Sequence, residues 1–346
     1  MNKPLRVVLI LLCAAIILAM PFAFSAPNML NDVKMELMND GEEEIDFGKL
    51  LFSTAMAEDD DLEEETLEEG EFASHPEWAL PMNEFAIPPE PKAECYTEDH
   101  YEDDSIRVRL QHEQWDEGTK VHVAYIQIAD ASQLRTAVAH PEKLGSTRGK
   151  TVSTIAKANN AVIAINGDNY MDKPEKTTFE YRMTQKIRSK SNRTKDILII
   201  DDQGDFHLFV QSQGIKEFPE QLKKNGRYLV NAFTFGPALV KDGELLELDS
   251  NYGYNPGGRE PRAAIGQLGT LSYVLVIVDA KSRSGDSGMS QAKLAEYMYN
   301  LGCVQAFNLD GGNSAEMVFG DQIYKGMPGG DERTLSDIIF FATAQP

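Results

Sequence analysis

The chain has 346 residues, in which 33 lysines and arginines stand against 55 aspartates and glutamates, so its net charge is −22 at pH 7. This charge argues against binding nucleic acid or anionic lipid through a general basic surface. The charge is uneven, because residues 27–104 hold 26 acidic and 3 basic side chains, whereas residues 105–346 hold 29 acidic and 28 basic ones. The acidity therefore belongs to one segment, and the nearly neutral remainder is expected to fold.

Residues 1–26 have the pattern of a targeting segment. Lys3 and Arg6 precede an uncharged apolar run over residues 7–20, and small residues follow. This order is typical of a cleaved secretory signal peptide. The apolar run, extended to residue 24, is also close to the roughly 20 residues that span a bilayer, so a retained membrane anchor is an equal alternative. Either way, the sequence predicts an extracytoplasmic protein, secreted or anchored to the cell membrane.

Residues 27–104 are predicted to be a disordered acidic tether. Acidic runs at 42–44, 58–61 and 63–65 repel one another, and no sustained apolar period accompanies them. A solvated spacer that holds the folded part away from the membrane is the favoured interpretation. A calcium-collecting tail or a pro-segment is the alternative.

Residues 105–346 alternate apolar and polar residues in the manner of half-buried strands, beginning with 106–110 and 121–127. Two amphipathic stretches with hydroxyl caps predict helices over residues 151–158 and 290–301. The other predicted strands lie at 134–138, 161–165, 197–200, 206–210, 228–233, 238–240, 263–267, 273–278, 304–309, 317–319, 322–324 and 338–342. Many strands with few helices predict a single strand-rich α+β domain.

Polar clusters lie at the ends of apolar strands in three places: residues 166–169, Arg262 and residues 308–314. Glycines and a carboxylate at a strand end present backbone N–H groups and an acid to one spot, which suits an anionic or sugar ligand. Each cluster alone is more simply explained as a tight turn. The sequence lacks a P-loop, a dinucleotide fingerprint, an HExxH motif and paired CxxC motifs, which argues against the enzyme classes that depend on them.

Taken in order, these motifs resemble the phosphodiester glycosidase family, the uncovering-enzyme-like N-acetylglucosamine-1-phosphodiester α-N-acetylglucosaminidases. The resemblance is carried by Asn166-Gly-Asp168-Asn-Tyr170, Phe235-Gly-Pro237-Ala-Leu-Val240, Pro261-Arg262-Ala-Ala-Ile265-Gly266, Val276-Ile-Val278-Asp279, Asn308-Leu-Asp310-Gly-Gly-Asn-Ser314 and a late Arg333. It covers essentially residues 105–346. The family commonly has a third glycine where Asn313 stands, and a glycine and an arginine where Ala280 and Lys281 stand.

The resemblance implies an extracytoplasmic hydrolase that cleaves the bond between a sugar anomeric carbon and a phosphodiester, as in GlcNAc-1-phosphodiesters of surface or host glycans. It implies that Asp310 and Asp168 stabilise the positive sugar ring and activate water or protonate the leaving oxygen. The residues expected to bind the substrate or its phosphate are Arg262, Arg333, Lys281, Asn166, Gly167, Asn308, Gly311, Gly312 and Ser314. Asn166 and Asn308 are equally suited to bonding their own loops.

No cofactor is expected from this resemblance. Asp168 and Asp310 could instead hold a hard cation such as Ca²⁺, an interpretation that we favour less than direct catalysis. The expected partner is a glycan or sugar-phosphate substrate, joined by the membrane if the N-terminal segment is retained. Two other functions stay open: a non-catalytic glycan- or polymer-binding module on a stalk, and an accessory protein of exopolysaccharide assembly.

Overall fold

The computed structural model describes residues 72–73, 75–171, 178–190, 194–280 and 287–346. The predicted targeting segment of residues 1–26 and residues 27–71 of the predicted tether lie outside the described residues. Within the described ranges, no helix is both long enough and apolar enough to cross a membrane.

Eighteen strands and three α-helices form within the described ranges. The helices are α1 (Val152–Ala158), α2 (Phe218–Lys224) and α3 (Gln291–Asn300). The strands are β1 (His100–Glu102), β2 (Ile106–Asp116), β3 (Thr119–Ile128), β4 (Leu134–Val138), β5 (Ile163–Asn166), β6 (Phe179–Arg182), β7 (Gln185–Ser189), β8 (Ile197–Asp201), β9 (Phe206–Phe209), β10 (Leu229–Phe233), β11 (Ala238–Lys241), β12 (Glu244–Leu245), β13 (Arg262–Gly269), β14 (Ser272–Val278), β15 (Gln305–Asn308), β16 (Glu316–Phe319), β17 (Gln322–Lys325) and β18 (Asp337–Phe341). This composition confirms the predicted strand-rich α+β class.

The described strands form three sheets of antiparallel neighbours. The first has eight strands in the order β1-β2-β3-β14-β13-β15-β11-β12. The second has the order β7-β6-β10-β8-β9, and the third has the order β17-β16-β5-β18-β4. In the third sheet, β5 lies between β16 and β18, so this sheet joins early and late parts of the domain.

Strand β14 shows why the sequences of the central strands are continuous apolar runs. Leu275 belongs to the main core, which it shares with Ile339 of the third sheet. Val276 points to the other face and packs in a second cluster with Leu294 of α3. Because both faces of the strand are covered, every position is buried and the alternation typical of a half-exposed strand is lost.

The two helices predicted from the sequence begin at their predicted caps. The Thr151 side chain accepts a hydrogen bond from the backbone N–H of Thr154 at the start of α1. The Ser290 side chain accepts one from the backbone N–H of Lys293 at the start of α3. These bonds satisfy N–H groups that have no partner within the first turn, which confirms the predicted starts.

Strands β1, β6, β7 and β12 and helix α2 were absent from the sequence prediction. Helix α2 buries only Leu222, so it has no apolar stripe to reveal it. Strand β6 buries Glu180 and Arg182, and these charged residues hide the apolar pattern of a core strand.

Residues 75–104 pack on the domain, which corrects the prediction that the tether extends to residue 104. The buried guanidinium of Arg135 donates to the backbone carbonyls of Glu84 and Ala86, at 3.2 Å each. The Tyr96 hydroxyl donates to the carbonyl of Val162 (3.1 Å), and β1 adds an edge strand to the first sheet. The average charge of the whole segment concealed these contacts, because they depend on aromatic side chains and backbone groups.

We expect a fragment of residues 75–346 to be more stable than one of residues 105–346. The shorter fragment loses β1 and the fully buried Tyr101, and truncating a buried aromatic side chain alone costs about 3–5 kcal/mol. Urea unfolding of both fragments measures the difference. Equal unfolding free energies would show that residues 75–104 contribute nothing to the fold.

Candidate active site

The three polar clusters predicted from the sequence meet at one edge of the fold. The backbone N–H of Asp310 donates to the carbonyl of Gly167 (3.4 Å), and the backbone N–H of Gly312 donates to the carbonyl of Pro261 (2.9 Å). Because Arg262 directly follows Pro261, all three clusters lie side by side. The spatial convergence that a shared site requires is therefore present.

Antiparallel pairing explains most of this convergence. Asn308 ends β15 and Arg262 begins β13, and the two strands pair with Ala264 opposite Asn308. The start of one strand consequently lies beside the end of the other. The third cluster comes from another sheet, where Asn166 ends β5. Its Nδ2 donates to the carbonyl of Asp310 (2.8 Å), which joins the two sheets at this edge.

Both asparagines predicted to bind sugar hydroxyls bond to neighbouring loops. Besides its bond across the sheets, Asn166 donates to the carbonyl of Gly167 (3.0 Å) and accepts from the backbone N–H of Glu316 (3.1 Å). Asn308 donates to the carbonyl of Gly236 (2.8 Å). Loop anchoring, one of the two roles considered for these side chains, is therefore observed. Contact of either amide with a sugar stays a prediction.

Close backbone approaches account for the glycines of the predicted site. A Cβ atom on Gly167 would lie 2.0 Å from Oδ2 of Asp337, and one on Gly311 would lie 2.7 Å from the carbonyl oxygen of Pro261. Gly312 has a φ of +61°, a conformation that favours glycine. These glycines let the loops pack closely, and donation from their N–H groups to a phosphate stays a prediction.

Two of the predicted residues reach solvent at this edge, and a third, Ser314, lies buried beside them. Nη1 of Arg333 donates to Oγ of Ser314 (2.8 Å) and lies 3.9 Å from Oδ2 of Asp310. The Arg333 side chain is 38% exposed and the Asp310 side chain is 14% exposed, so a ligand can reach both. A guanidinium and a hydroxyl suit a phosphate group, and a carboxylate suits a neighbouring positive charge.

Asp168, the other predicted carboxylate, lies in a buried charge network. Its Oδ2 accepts from the backbone N–H of Thr234 (2.6 Å) and lies 3.9 Å from Nη2 of Arg182. The same guanidinium nitrogen contacts Oδ2 of Asp337 (2.8 Å) and Oε2 of Glu180 (3.0 Å). None of these four charged side chains has exposed surface.

Burial sets the protonation of this network. It raises the pKa of Asp168 to about 6 against the opposing charge of Arg182. Burial, followed by the charge of Asp168, holds the pKa of Glu180 well above its usual range. Since the Asp168 carboxylate does not reach solvent, its direct catalytic role stays a prediction.

Arg262 uses its guanidinium to anchor a loop. Nε donates to the carbonyl of Met289 (2.9 Å), Nη1 to that of Tyr254 (3.1 Å), and Nη2 to those of Asn255 (2.8 Å) and Gly258 (2.9 Å). Burial lowers the pKa to about 10, so the side chain stays charged at neutral pH. These contacts give Arg262 a positioning role, and its contact with phosphate stays a prediction.

Comparison with known proteins identifies the family. Residues 159–342, more than half of the chain, match the family model described as phosphodiester glycosidase. The chain belongs to the phosphodiester glycosidase family. This membership confirms the resemblance seen in the motifs and supports a glycosidase-like hydrolase domain. The matched range includes Asp168, Arg262, Asp310 and Arg333.

A solved structure supports the fold of this phosphodiester glycosidase domain. The zebrafish N-acetylglucosamine-1-phosphodiester α-N-acetylglucosaminidase catalytic domain, auto-inhibited by its pro-peptide, aligns with a TM-score of 0.53. The alignment has 16% sequence identity and covers 69% of this chain and 83% of the zebrafish chain. At this identity, the likeness shows a shared fold alone.

A curated relative is the SPbeta prophage-derived uncharacterized protein YomE of Bacillus subtilis (strain 168). It is 25% identical over 200 residues, which are 56% of this chain. The match covers 30% of YomE, so this chain spans about a third of the length of that relative.

The phosphodiester glycosidase domain also holds a buried lysine that sequence analysis missed. Nζ of Lys195 lies 4.4 Å from the ring centroid of Tyr252 and 4.3 Å from that of Tyr254. The Tyr254 ring stacks on Phe235 at 4.0 Å, and the Tyr254 carbonyl accepts from Arg262. Lys195 lies two residues before the start of β8, where a charged residue is typical of an exposed turn, so no local signal marks it.

The network around Asp168 was also missed, although part of it left a signal. Glu180 and Arg182 are two residues apart on β6, and residues with that spacing point to the same face of a strand. Opposite charges repeated on one strand face indicate a paired cluster. Their partner Asp337 comes from β18, far along the chain, and nothing local connects it with β6.

Two further expectations concern phosphate and metal. Lys281, predicted to contact the phosphate, lies outside the described residues. In the described part of the chain, no three histidine, cysteine, aspartate or glutamate side chains are grouped so that they could hold a metal ion. Asp168 lies beside Arg182, and Asp310 lies beside Arg333, so each carboxylate predicted as a Ca²⁺ ligand has a cation nearby.

We expect Arg182→Met to destabilise the fold by about 3–5 kcal/mol at pH 7, because it leaves buried carboxylates without their cation. The loss is smaller at pH 5. Without Arg182 the folded-state pKa of Asp168 rises further, and an acid whose folded pKa is raised loses stability as pH rises through that pKa.

Urea unfolding at both pH values tests this expectation. Arg107→Met is the matched control, because Arg107 pairs with the partly exposed Glu102 and such a pair contributes about 0–1 kcal/mol. The described network would be contradicted if both variants lost the same free energy of unfolding. It would also be contradicted if Arg182→Met lost more free energy of unfolding at pH 5 than at pH 7.

Proposed function

We propose that the domain hydrolyses the bond between the anomeric carbon of a sugar and the oxygen of a phosphodiester, with GlcNAc-1-phosphodiesters as the model substrate. The observation that carries this proposal is the group formed by the partly exposed Asp310 and Arg333 and the buried Ser314. Membership of the phosphodiester glycosidase family supports it.

Arg333 and Ser314 are suited to the phosphate part of this substrate. A phosphodiester carries one negative charge on two free oxygens, and a guanidinium can donate to both of them. The Ser314 hydroxyl accepts a hydrogen bond from Arg333. Arg333 can therefore bind the phosphate as the exposed cation, and the Ser314 hydroxyl, which has no exposed surface, positions its guanidinium.

Asp310 is suited to the sugar part. As the bond between carbon and oxygen breaks, the electron pair leaves with the phosphate and positive charge develops on the sugar ring. A carboxylate beside the ring stabilises that charge or takes a proton from the attacking water. Because Oδ2 of Asp310 lies 3.9 Å from Nη1 of Arg333, one substrate would contact both side chains from their solvent side, with its sugar against Asp310 and its phosphate against Arg333. The products are the free sugar and a phosphate monoester.

The buried residues of the edge would hold this arrangement in place. Asp168 fixes the backbone at Thr234, and Arg262 fixes the loop that carries Tyr254 and Asn255. A positioned site accelerates a reaction because the reacting groups need not be ordered during each turnover. Asp168 remains the candidate for the second carboxylate role in this proposal.

Asp310→Asn is expected to lower kcat by a factor of about 10²–10⁴, the usual contribution of a positioned acid or base. Arg333→Ala is expected mainly to raise KM, because it removes the charged partner of the phosphate. Release of free GlcNAc from GlcNAc-1-phosphomethyl ester measures both effects. Asp321→Asn is the matched control, because Asp321 is an exposed aspartate that follows Asp310 in the sequence.

The same experiment separates hydrolysis from binding. Wild-type activity in Asp310→Asn would remove Asp310 from the mechanism. Calorimetric binding of the ester by every protein, without release of sugar, would instead support a non-catalytic glycan-binding module.

We also propose that this hydrolysis takes place outside the cytoplasm, as the basic residues and apolar run of residues 1–26 suggest. In a bacterial host, the full chain is expected in the membrane fraction, or in the exported fraction with a mature start near residue 26. Leu12→Arg with Ile16→Arg interrupts the apolar run and is expected to retain the protein in the cytoplasm. Cytoplasmic wild-type protein would contradict the proposal.

A further inference from the structure

Two acidic side chains, Glu316 and Glu332, meet behind the solvent-exposed group. Glu316 begins β16, two residues after Ser314, and is 2% exposed. Glu332 directly precedes Arg333 in the loop between β17 and β18. The two carboxyl groups lie close enough for a hydrogen bond between them to shift the pKa of both, and the buried Oε1 of Glu316 accepts no hydrogen bond from the described residues. Two carboxyl groups can form such a bond only when one of them holds a proton.

The surroundings decide which of the two holds the proton. Burial, followed by the hydrogen bond and the charge of Glu332, raises the pKa of Glu316 to about 9. Burial alone would raise the pKa of Glu332, but hydrogen bonds from Glu316 and Ser153 lower it. The Ser153 backbone N–H and Oγ donate to Glu332 at 3.2 and 2.9 Å. At neutral pH, Glu316 is therefore the donor and Glu332 is the carboxylate.

The groups packed around this pair show what it connects. From β17, Lys325 lies opposite Glu316 and directs its ammonium to the carbonyl of Gly330. From β5, Asn166 accepts from the Glu316 backbone N–H. From α1, Ser153 donates to Glu332, while Arg333 follows Glu332 and reaches Ser314. The pair thus ties the loop of Arg333 to the strand that follows Ser314.

We propose that the Glu316–Glu332 pair is a positioning device in which one shared proton holds Arg333 at the anion site beside Ser314. The proposal rests on the proposed function only in using Arg333 to bind the phosphate. Loss of the shared proton would place two negative charges in a buried contact, and their repulsion would release the loop. A raised folded-state pKa means that the contact is present at pH 7 and is lost as pH rises through about 9.

Calorimetric titration with inorganic sulfate at pH 7 and pH 10 tests this device without requiring turnover. Sulfate has the same charge at both pH values, so a change in affinity reports on the protein. In Glu316→Gln the amide still donates to Glu332 but cannot ionise. We expect sulfate affinity to fall between the two pH values by about tenfold more in the wild type than in Glu316→Gln, the equivalent of one charge-assisted hydrogen bond.

Two further variants complete the experiment. Glu316→Leu removes the donor and is expected to bind sulfate about tenfold more weakly at pH 7, as the wild type does at pH 10. Glu296→Gln removes a carboxyl from the exposed part of α3 and is expected to behave as the wild type at both pH values. The proposal would be overturned if sulfate affinity fell equally between pH 7 and pH 10 in the wild type and in Glu316→Gln. It would also be overturned if the wild type bound no sulfate at pH 7.

Turnover of GlcNAc-1-phosphomethyl ester by the same proteins distinguishes this inference from the proposed function. If sulfate affinity depends on pH as expected but no ester is hydrolysed, the positioning role of the carboxyl pair is supported and the proposed hydrolase function is rejected. If the ester is hydrolysed and its KM rises equally at pH 10 in the wild type and in Glu316→Gln, the hydrolase function is supported and the positioning role of the carboxyl pair is rejected.

Discussion

The site depends on the side chain of Asn166, which joins two sheets whose described strands do not pair with each other at this edge. Its Nδ2 donates to the carbonyls of Gly167 and Asp310, and its Oδ1 accepts from the Glu316 backbone. An asparagine side chain offers two donors and one acceptor group, and all of them are used here. Because the bonds run to backbone atoms, they fix where Asp310 starts its loop and where the strand after Ser314 begins. An aspartate would keep the acceptor but lose both donors.

Charged residues near this edge divide into those that support it and those that a ligand can reach. Arg182 and Arg262 are buried, and their guanidinium groups are occupied by carboxylates and by backbone carbonyls respectively. Arg333 keeps part of its surface in solvent beside Asp310. A buried guanidinium with several partners cannot turn towards a substrate without leaving carbonyls or carboxylates unsatisfied. An anion can approach the Arg333 guanidinium from solvent, and this exposure supports the proposal that Arg333 contacts the phosphate.

The sequence was informative wherever a local pattern determines the structure. The apolar run of β14 and the Ser290 cap of α3 marked their elements, and glycines and acids at strand ends marked the edge where the clusters meet. It was uninformative wherever the partner lies far away in the chain. Nothing near Arg262 shows that its Nε donates to the carbonyl of Met289, and nothing near Asp168 shows that it accepts from the backbone of Thr234. The motif therefore predicted which residues come together, but not which of them face solvent.

Two groups of buried acids beside the site are neutralised in different ways, the first by a cation and the second by a proton. Asp168, Glu180 and Asp337 share the cation of Arg182, whose pKa they hold above its usual value, so Arg182 keeps its charge at every physiological pH. Glu316 and Glu332 share a proton, and a proton can leave while an arginine cannot. A permanent cation suits the part of the fold that anchors the backbone at Thr234. A removable proton suits the loop of Arg333, which side-chain bonds join to Ser314 and to Ser153.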